Sequence, residues 1–334
     1  FEQHPDQFIA KYIKGYQYIF IDEFQYAQHG GKILKYIVDS QKIKIIISGS
    51  SVIDLTVKAT KYLVGRILVF PLYPFDFAEF ISAKAPSQAE LLAEQTVRFS
   101  ISQAAPSIPL VFHQIFLHLY EEYLLFGGYP RVVLEERLNA KQELLRNLYN
   151  TYFLREVRDI LGLVDDFKLQ ALLKSLALQI GSLVQYAELG GQTGYTYISL
   201  RRYLNFLEKT YVCRLVRPWY RNKRVEIVKN PKVYFLDTGL RNSIISDFRS
   251  LNERLDQGQL LENALAMQFI KQGREIYFWR DKKQHEVDFI FSLPENRLCA
   301  LESKSFWRQN DLDGLRRLGR RYPEIKLYSS FLYK

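Results

Sequence analysis

Cysteine is scarce: the 334 residues hold two, Cys213 and Cys299. Two cannot build a disulfide framework, and no Cys/His cluster has zinc spacing. That usage points to a reducing, cytoplasmic compartment. No apolar run approaches the roughly 20 residues of a membrane-spanning helix, so no membrane partner is expected, and no signal peptide is visible. The five histidines, His285 among them, are scattered and none stands in a catalytic pattern. Acid is the minority charge: Asp+Glu number 36 against Lys+Arg 46, a net +10. Such an excess invites an anionic partner, either nucleic acid or a phosphorylated ligand. What is abundant is core material. Hydrophobic content of 48% and aromatic content of 15% suit a globular chain long enough for two or three domains.

The first chemistry-bearing stretch is Tyr18-Ile19-Phe20-Ile21-Asp22-Glu23. Its short apolar run predicts a strand buried on both faces, with two carboxylates at its C-terminal end, where α/β folds place ligands. An exposed acid pair there can hold Mg²⁺ and polarise a water. Ile43-Lys44-Ile45-Ile46-Ile47 predicts a neighbouring strand that ends in Ser48-Gly49-Ser50-Ser51, and Gln28 to Ser40 supplies a crossover helix between them.

This order resembles the Walker B and sensor-1 strands of the AAA-type P-loop ATPases, specifically a group of prokaryotic ATPases carrying a C-terminal domain of the DUF4143 type. The resemblance implies ATP with Mg²⁺ as cofactors. In it Asp22 helps hold the metal, Glu23 activates water, and Ser50 stands near the sensor position. Arg66, in Leu63-Val64-Gly65-Arg66, is the candidate arginine for a γ-phosphate, in cis or across a homo-oligomer interface. There is one departure. No G-x-x-x-x-G-K-[ST] occurs in the chain, although such a loop would cradle the phosphates. The chain starts at Phe1 without an initiator Met, so we expect an upstream piece to be missing and ATP to bind poorly.

Residues 1–80 read as the remaining ATPase core, closed by Phe75-Asp76-Phe77-Ala78-Glu79-Phe80, an amphipathic helix start with no catalytic role. Residues 81–110 are rich in Ser, Ala, Gln and Pro and read as a linker or insertion with a short helix around Ala89 to Val97. Residues 111–182 are helical. The Phe126-Gly127-Gly128-Tyr129-Pro130 break is a signature of the resembled group, and physically a tight connection. Arg155, Glu156, Arg158 and Asp159 read as a solvated helix face. Residues 183–232 have the pattern of a winged helix-turn-helix: a short helix over Gln185 to Leu189, a turn over Gly190 to Gly194, and a second helix over Ser199 to Thr210. The inward positions of that second helix are Leu200, Tyr203, Leu204 and Leu207. Wing strands follow over Tyr211 to Val216 and Val225 to Val228. From Thr196 to Lys232 there are ten Lys/Arg and two Asp/Glu. Arg201 and Arg202 on the second helix, with Arg221, Lys223 and Arg224 at the wing tip, suit phosphate contacts to DNA; alternatively the basic residues are merely solvated.

Residues 233–334 carry a separate constellation. Glu262 lies on a helix, Asp288 within the strand Glu286 to Phe291, and Glu302 and Lys304 end the strand Arg297 to Lys304. Helix, strand with Asp, then strand with Glu-x-Lys is the order of the PD-(D/E)XK nuclease core. Alternate strand residues share a face, so Glu302 and Lys304 project together. Asp288 and Glu302, with Glu262 completing the set, would hold Mg²⁺ or Mn²⁺. Lys304 would orient or deprotonate water, or stabilise the pentavalent phosphate. The basic helix Asn310 to Arg321 could extend a DNA-binding face.

The fold class expected is α/β: a partial P-loop ATPase parallel sheet, then a helical and winged-helix region, then a PD-(D/E)XK nuclease-like α/β domain. The expected function is ATPase-driven action on DNA with a nuclease-like domain. The alternatives are a non-catalytic DNA-binding or regulatory protein with a degenerate nuclease fold, and a nucleotide-switched protein that touches no nucleic acid.

Overall fold

The computed structural model describes residues 3–331 other than 28, 42, 50–61, 64, 103–109, 155–165, 223, 225, 227–228, 294–296 and 307–311. Ser50, Lys223 and the charged face at 155–159 therefore lie outside the described residues. The chain forms two compact units: residues 1–72 with 205–211, and residues 73–204 with 212–334.

In the first unit β1 (Tyr18–Ile21) and β2 (Lys44–Ile47) pair in parallel, Tyr18 opposite Lys44 and Ile21 opposite Ile47. The crossover between them is α1 (Gly30–Ser40). This is the expected strand, helix, strand order, since parallel neighbours need such a crossover. Burial departs from expectation. Ile33, Leu34 and Ile37 of α1 pack with Ile19, Ile45 and Ile47 on one side of the strands. Tyr18, Phe20 and Ile46 on the other side are more than half exposed. Strand alternation sends i and i+2 to one face, and among the described residues only one face of β1 and β2 is covered.

The second unit begins with α2 (Phe77–Lys84). Asp76 and Glu79 close a capping box: the Asp76 carboxylate accepts from the Glu79 N–H at 2.9 Å, and the Glu79 carboxylate accepts from the Asp76 N–H at 2.8 Å. This satisfies two otherwise orphaned donors and explains the sequence pattern without a catalytic role. The expected linker is instead largely helix, α3 (Pro86–Ser102). Its composition of Ala, Glu, Gln and Leu favours helix, and Pro86 stands at the start, where its missing N–H costs nothing. Next come α4 (Leu110–Phe126), a one-turn helix at Pro130–Val133, α5 (Leu138–Asn147) and α6 (Asp166–Leu178).

The segment expected to be a helix-turn-helix differs in detail from expectation. The first helix, α7 (Tyr186–Thr193), runs straight through Gly190 and Gly191. It stops at Gly194, whose φ of +68° is the left-handed stop that glycine allows. The second, α8 (Tyr197–Lys209), buries Leu200, Tyr203, Leu204 and Leu207 as expected. β3 (Cys213–Val216) pairs antiparallel with β4 (Lys232–Phe235). The partner of β3 is thus further along the chain than the expected wing strand, of which 225, 227 and 228 lie outside the described residues.

After α9 (Thr238–Ile245) and α10 (Gln257–Lys271) comes a four-stranded sheet: β5 (Ile276–Arg280), β6 (Glu286–Leu293), β7 (Arg297–Lys304) and β8 (Lys326–Phe331), in that spatial order. The first three form an antiparallel meander. α11 (Asp313–Arg321) then crosses over so that β8 lies parallel to β7. The molecule is therefore a mixed α/β protein with several small sheets.

One junction ties distant segments of this unit together. Asp237 caps α9 through the Leu240 N–H, and its other oxygen accepts from the Gly128 N–H, both at 2.8 Å. The Phe75 N–H donates to the Gly128 carbonyl at 2.8 Å, while the Tyr123 hydroxyl and the Lys271 ammonium donate to the Phe75 carbonyl. A Cβ at position 128 would lie 2.1 Å from the Phe75 oxygen. The Phe-Gly-Gly-Tyr-Pro stretch is therefore a close backbone approach, which only glycine permits. Gly128→Ala should destabilise this unit by about 3 kcal/mol, as overpacking against fixed backbone does. A urea midpoint within experimental error of the parent would refute that role.

Candidate functional site

β6 and β7 pair from Phe289 opposite Leu301 to Leu293 opposite Arg297. The ladder ends at Phe289 and Leu301, one residue short of Asp288 and Glu302. At the fork a side chain replaces the missing backbone partner. The Ser303 N–H and hydroxyl both donate to Asp288 Oδ2, at 2.8 and 3.0 Å. Glu302 accepts from the Lys304 ammonium, the contact expected of alternate residues on one strand. Asp288 and Glu302 are 6% and 5% exposed, and Glu302 Oε2 is buried with no hydrogen-bond partner. A buried acceptor left unsatisfied is costly, and this one lies within electrostatic reach of Asp288 and Lys304.

Glu262, on α10, turns to other partners. Its Oε1 accepts from the Lys232 ammonium at 2.8 Å and from the Tyr234 hydroxyl at 2.5 Å. Lys232 also reaches Glu286 at 2.5 Å, and its side chain is 2% exposed. Arg280 stands at the rim, 3.8 Å from Glu286. A cleft of about 380 Å³ opens here, lined by Gly181, Ser182, Lys232, Arg280 and Glu286 among others. Gly181 leaves room for Glu262, since a Cβ there would stand 3.0 Å from Oε2. Lys232, Tyr234 and Glu286 were not singled out from the sequence. Lys232 and Tyr234 alternate on β4, a signal for a shared face, but nothing local says that this face meets α10.

The electrostatics follow from a shortage of cations. Burial, reinforced by the Asp288 charge, pushes the Glu262 pKa up to about 7 against the pull of Lys232. Burial and the same Asp288 charge push Glu302 up to about 8 against Lys304. Burial disfavours the charged form of Lys232, yet Glu262, Glu286 and Asp288 together outweigh it and hold its pKa above the ordinary lysine value. Lys304 is held up likewise by Asp288 and Glu302. Among the described residues, no group of three or more His, Cys, Asp or Glu is gathered closely enough to hold a metal ion. The expected three-carboxylate set is thus not assembled. Glu262 Oε1 is taken by Lys232 and Tyr234, whereas Asp288 and Glu302 stand together at the fork.

In the first unit, Asp22 lies at the C-terminal end of β1 and accepts from the Ser48 hydroxyl at the equivalent end of β2. Glu23 follows in the left-handed region at φ +52°, an uncommon conformation for a residue with a side chain. Arg66 is not brought to this edge. It pairs with Asp39 in the last turn of α1, and that helix runs back toward the opposite end of the sheet. Of the expected nucleic-acid contacts, Arg201 and Arg202 are exposed on α8, with Arg201 over the Tyr197 ring at 5.8 Å. Arg221 instead docks on the C-terminal domain, paired with Glu324 and lying 5.0 Å over the Tyr322 ring. Arg224 is exposed.

Residues 1–81 match the AAA domain family. Residues 117–251 match DUF8612 and residues 257–330 match DUF4143, both domains of unknown function. An uncharacterized protein of Haemophilus influenzae is 22% identical over 328 residues, covering 89% of this chain and 75% of its own length. One from Methanocaldococcus jannaschii is 26% identical over 290 residues, covering 84% of this chain and 60% of its own. One from Mycobacterium tuberculosis is 27% identical over 285 residues, covering 82% and 56%. The chain thus spans from just over half to three quarters of these relatives. No solved structure matches. The AAA and DUF4143 matches support an AAA-type ATPase-like protein with a C-terminal DUF4143 domain. Among the described residues no helix is long and apolar enough to cross a membrane.

Raised carboxylate values in the folded state make stability pH-dependent. The folded chain holds protons at Glu262 and Glu302 that the unfolded chain releases near pH 4.5, so this stability is present at low pH and lost as pH rises through about 7 and 8. The melting temperature should fall by roughly 5 °C between pH 6 and pH 9. Glu302→Gln, which cannot ionise, should flatten the upper part of that fall; equal slopes for the two proteins would contradict the assignment.

Proposed function

We propose that this chain works in an AAA-type ATPase-like protein that acts on DNA, and that its C-terminal domain is a PD-(D/E)XK-like fold handling the phosphodiester backbone with a divalent cation. The element order α10, β5, β6, β7, α11, β8 supports this reading, as do the acids on β6 and β7. The observation that carries it is the fork. There a buried Glu302 Oε2 without a donor stands near Asp288 and beside the lysine that Glu302 holds. Asp288 and Glu302 would hold Mg²⁺ or Mn²⁺, since hard oxygen donors suit those ions. Bound there, the cation would supply a more acidic water and neutralise charge on the phosphate. Lys304, kept charged by its acidic neighbours, is set to orient a water or face developing negative charge.

The nucleotide half fits the residues present less well. The chain has no G-x-x-x-x-G-K-[ST], and Arg66 is engaged by Asp39. Asp22 with Ser48 would complete a nucleotide site only in a protein that also supplies a phosphate-cradling loop, so ATP is proposed for such a protein and no step is derived through it here. A second reading, a DNA-binding or regulatory domain without cleavage, is favoured by one observation: Lys232 already stands as the counter-ion of Glu262.

DNA contact is proposed through exposed arginines: Arg201 and Arg202 on α8, and Arg317, Arg320 and Arg321 on α11. The protein should nick supercoiled plasmid with Mn²⁺, and Asp288→Asn should reduce the rate at least 100-fold, as loss of a metal-holding carboxylate does. Undiminished nicking in Asp288→Asn would refute the site, and retained DNA binding with no nicking in the parent would favour the second reading. Arg201→Ala with Arg202→Ala should lower the slope of log affinity on log salt by about 1–2. No DNA retention at low salt would remove nucleic acid as the partner.

A further inference from the structure

The carboxylates around the fork are served by two lysines, and the two do different things. Lys304 stands two positions from Glu302 on the same strand and is one-third exposed, whereas Lys232 comes from β4 and is sealed in. The Lys232 ammonium contacts Glu262 at 2.8 Å and Glu286 at 2.5 Å and lies over the Phe278 ring at 5.4 Å. A compact point charge bridging two carboxylates from different elements has the coordination role of a small cation. Its counter-ligand Glu262 has no room for another cation at Oε1, which already accepts from both Lys232 and Tyr234. Glu302 Oε2 is the reverse case, an acceptor with nothing on it.

We propose that the Lys232 ammonium is the resident cation of this cluster. It takes the place that a divalent ion would otherwise share with Glu262 and Glu286, leaving Asp288 and Glu302 as the acids that hold a metal. The acid cluster is thereby divided: a half built from α10, β4 and β6 that the ammonium already occupies, and an ion-accepting half at the fork. The internal half faces the cleft lined by Gly181, Lys232 and Glu286, so a hydrated ion can reach Glu262 and Glu286 once the ammonium is gone. The division also explains why no three-carboxylate group is assembled among the described residues. Removing the ammonium strips part-buried Glu262 of its counter-ion and leaves Glu286 only the more distant Arg280, a cost that a bound divalent cation would relieve.

The inference rests on the metal-dependent reading above only for the Asp288 and Glu302 half, and the test separates the two. Mn²⁺ binding is measured calorimetrically on the full chain for the parent, Lys232→Met, Lys232→Arg and Glu262→Gln. The parent and Lys232→Arg should bind one Mn²⁺, and Lys232→Met should bind one more, with Mn²⁺ raising its melting temperature more than the parent's. Glu262→Gln should leave the parent site's affinity within about twofold, because Glu262 is not one of its ligands. Equal stoichiometry in Lys232→Met and the parent would overturn the proposal, as would a tenfold loss of affinity in Glu262→Gln. That second comparison stands if Lys232→Met does not fold. Should the parent bind no Mn²⁺ while Lys232→Met binds one, the resident-cation role holds and the metal-dependent reading fails; no binding in either overturns both.

Discussion

The buried ion pair between Lys232 and Glu262 is the constraint on which the C-terminal half of the molecule depends. Taking both charges out of water costs several kcal/mol per ion, and their attraction repays that only when the remaining donors and acceptors are satisfied. Tyr234 adds a second donor to Glu262 Oε1, and Glu286 adds a second acceptor to Lys232. Because the four groups come from α10, β4 and β6, the pair fixes how the β3–β4 ribbon meets the four-stranded sheet. The same contacts decide which acids remain open. Glu262 Oε1 is occupied, while at the fork Asp288 and Glu302 stand with Lys304.

Two further attachments hold this unit's geometry. The Asp237 carboxylate gathers the ends of α4 and α9 through backbone N–H groups, and the close approach of Gly128 to Phe75 brings the segment before α2 against them. On the other side, the segment after β3 is laid along β5: the Trp219 N–H donates to the Phe278 carbonyl, and Trp219 meets Tyr322 edge-on at 5.0 Å. Arg221 follows and is spent on Glu324 and Tyr322. Arg201 and Arg202 of α8 and Arg317, Arg320 and Arg321 of α11 are exposed cations.

Much of this was legible in the residues. The inward stripe of α8 obeys helical spacing at Leu200, Tyr203, Leu204 and Leu207, and each is buried because that spacing puts them on one face. Glu302 and Lys304 meet because alternate strand residues always do. Other features were decided by competition that local patterns do not record. Gly190 and Gly191 look like a turn, yet the helix passes through them and stops only at Gly194. The apolar run of β1 suggests burial on both faces, but α1 covers one. The family resemblance makes Arg66 a candidate γ-phosphate ligand, and it is taken by Asp39, an ordinary surface partner.

The sequence by itself determined the elements and the chemistry they carry: an acid pair after a parallel strand, an Asp on one strand and Glu-x-Lys on the next, and a basic middle segment. These depend on periodicities of two and 3.6 and on side-chain type, which are local properties. Only the tertiary structure decided which charges neutralise which. Lys232 and Glu262 are thirty positions apart and on different elements, and their pairing exists because burial forces each to find a counter-charge wherever the packed chain provides one.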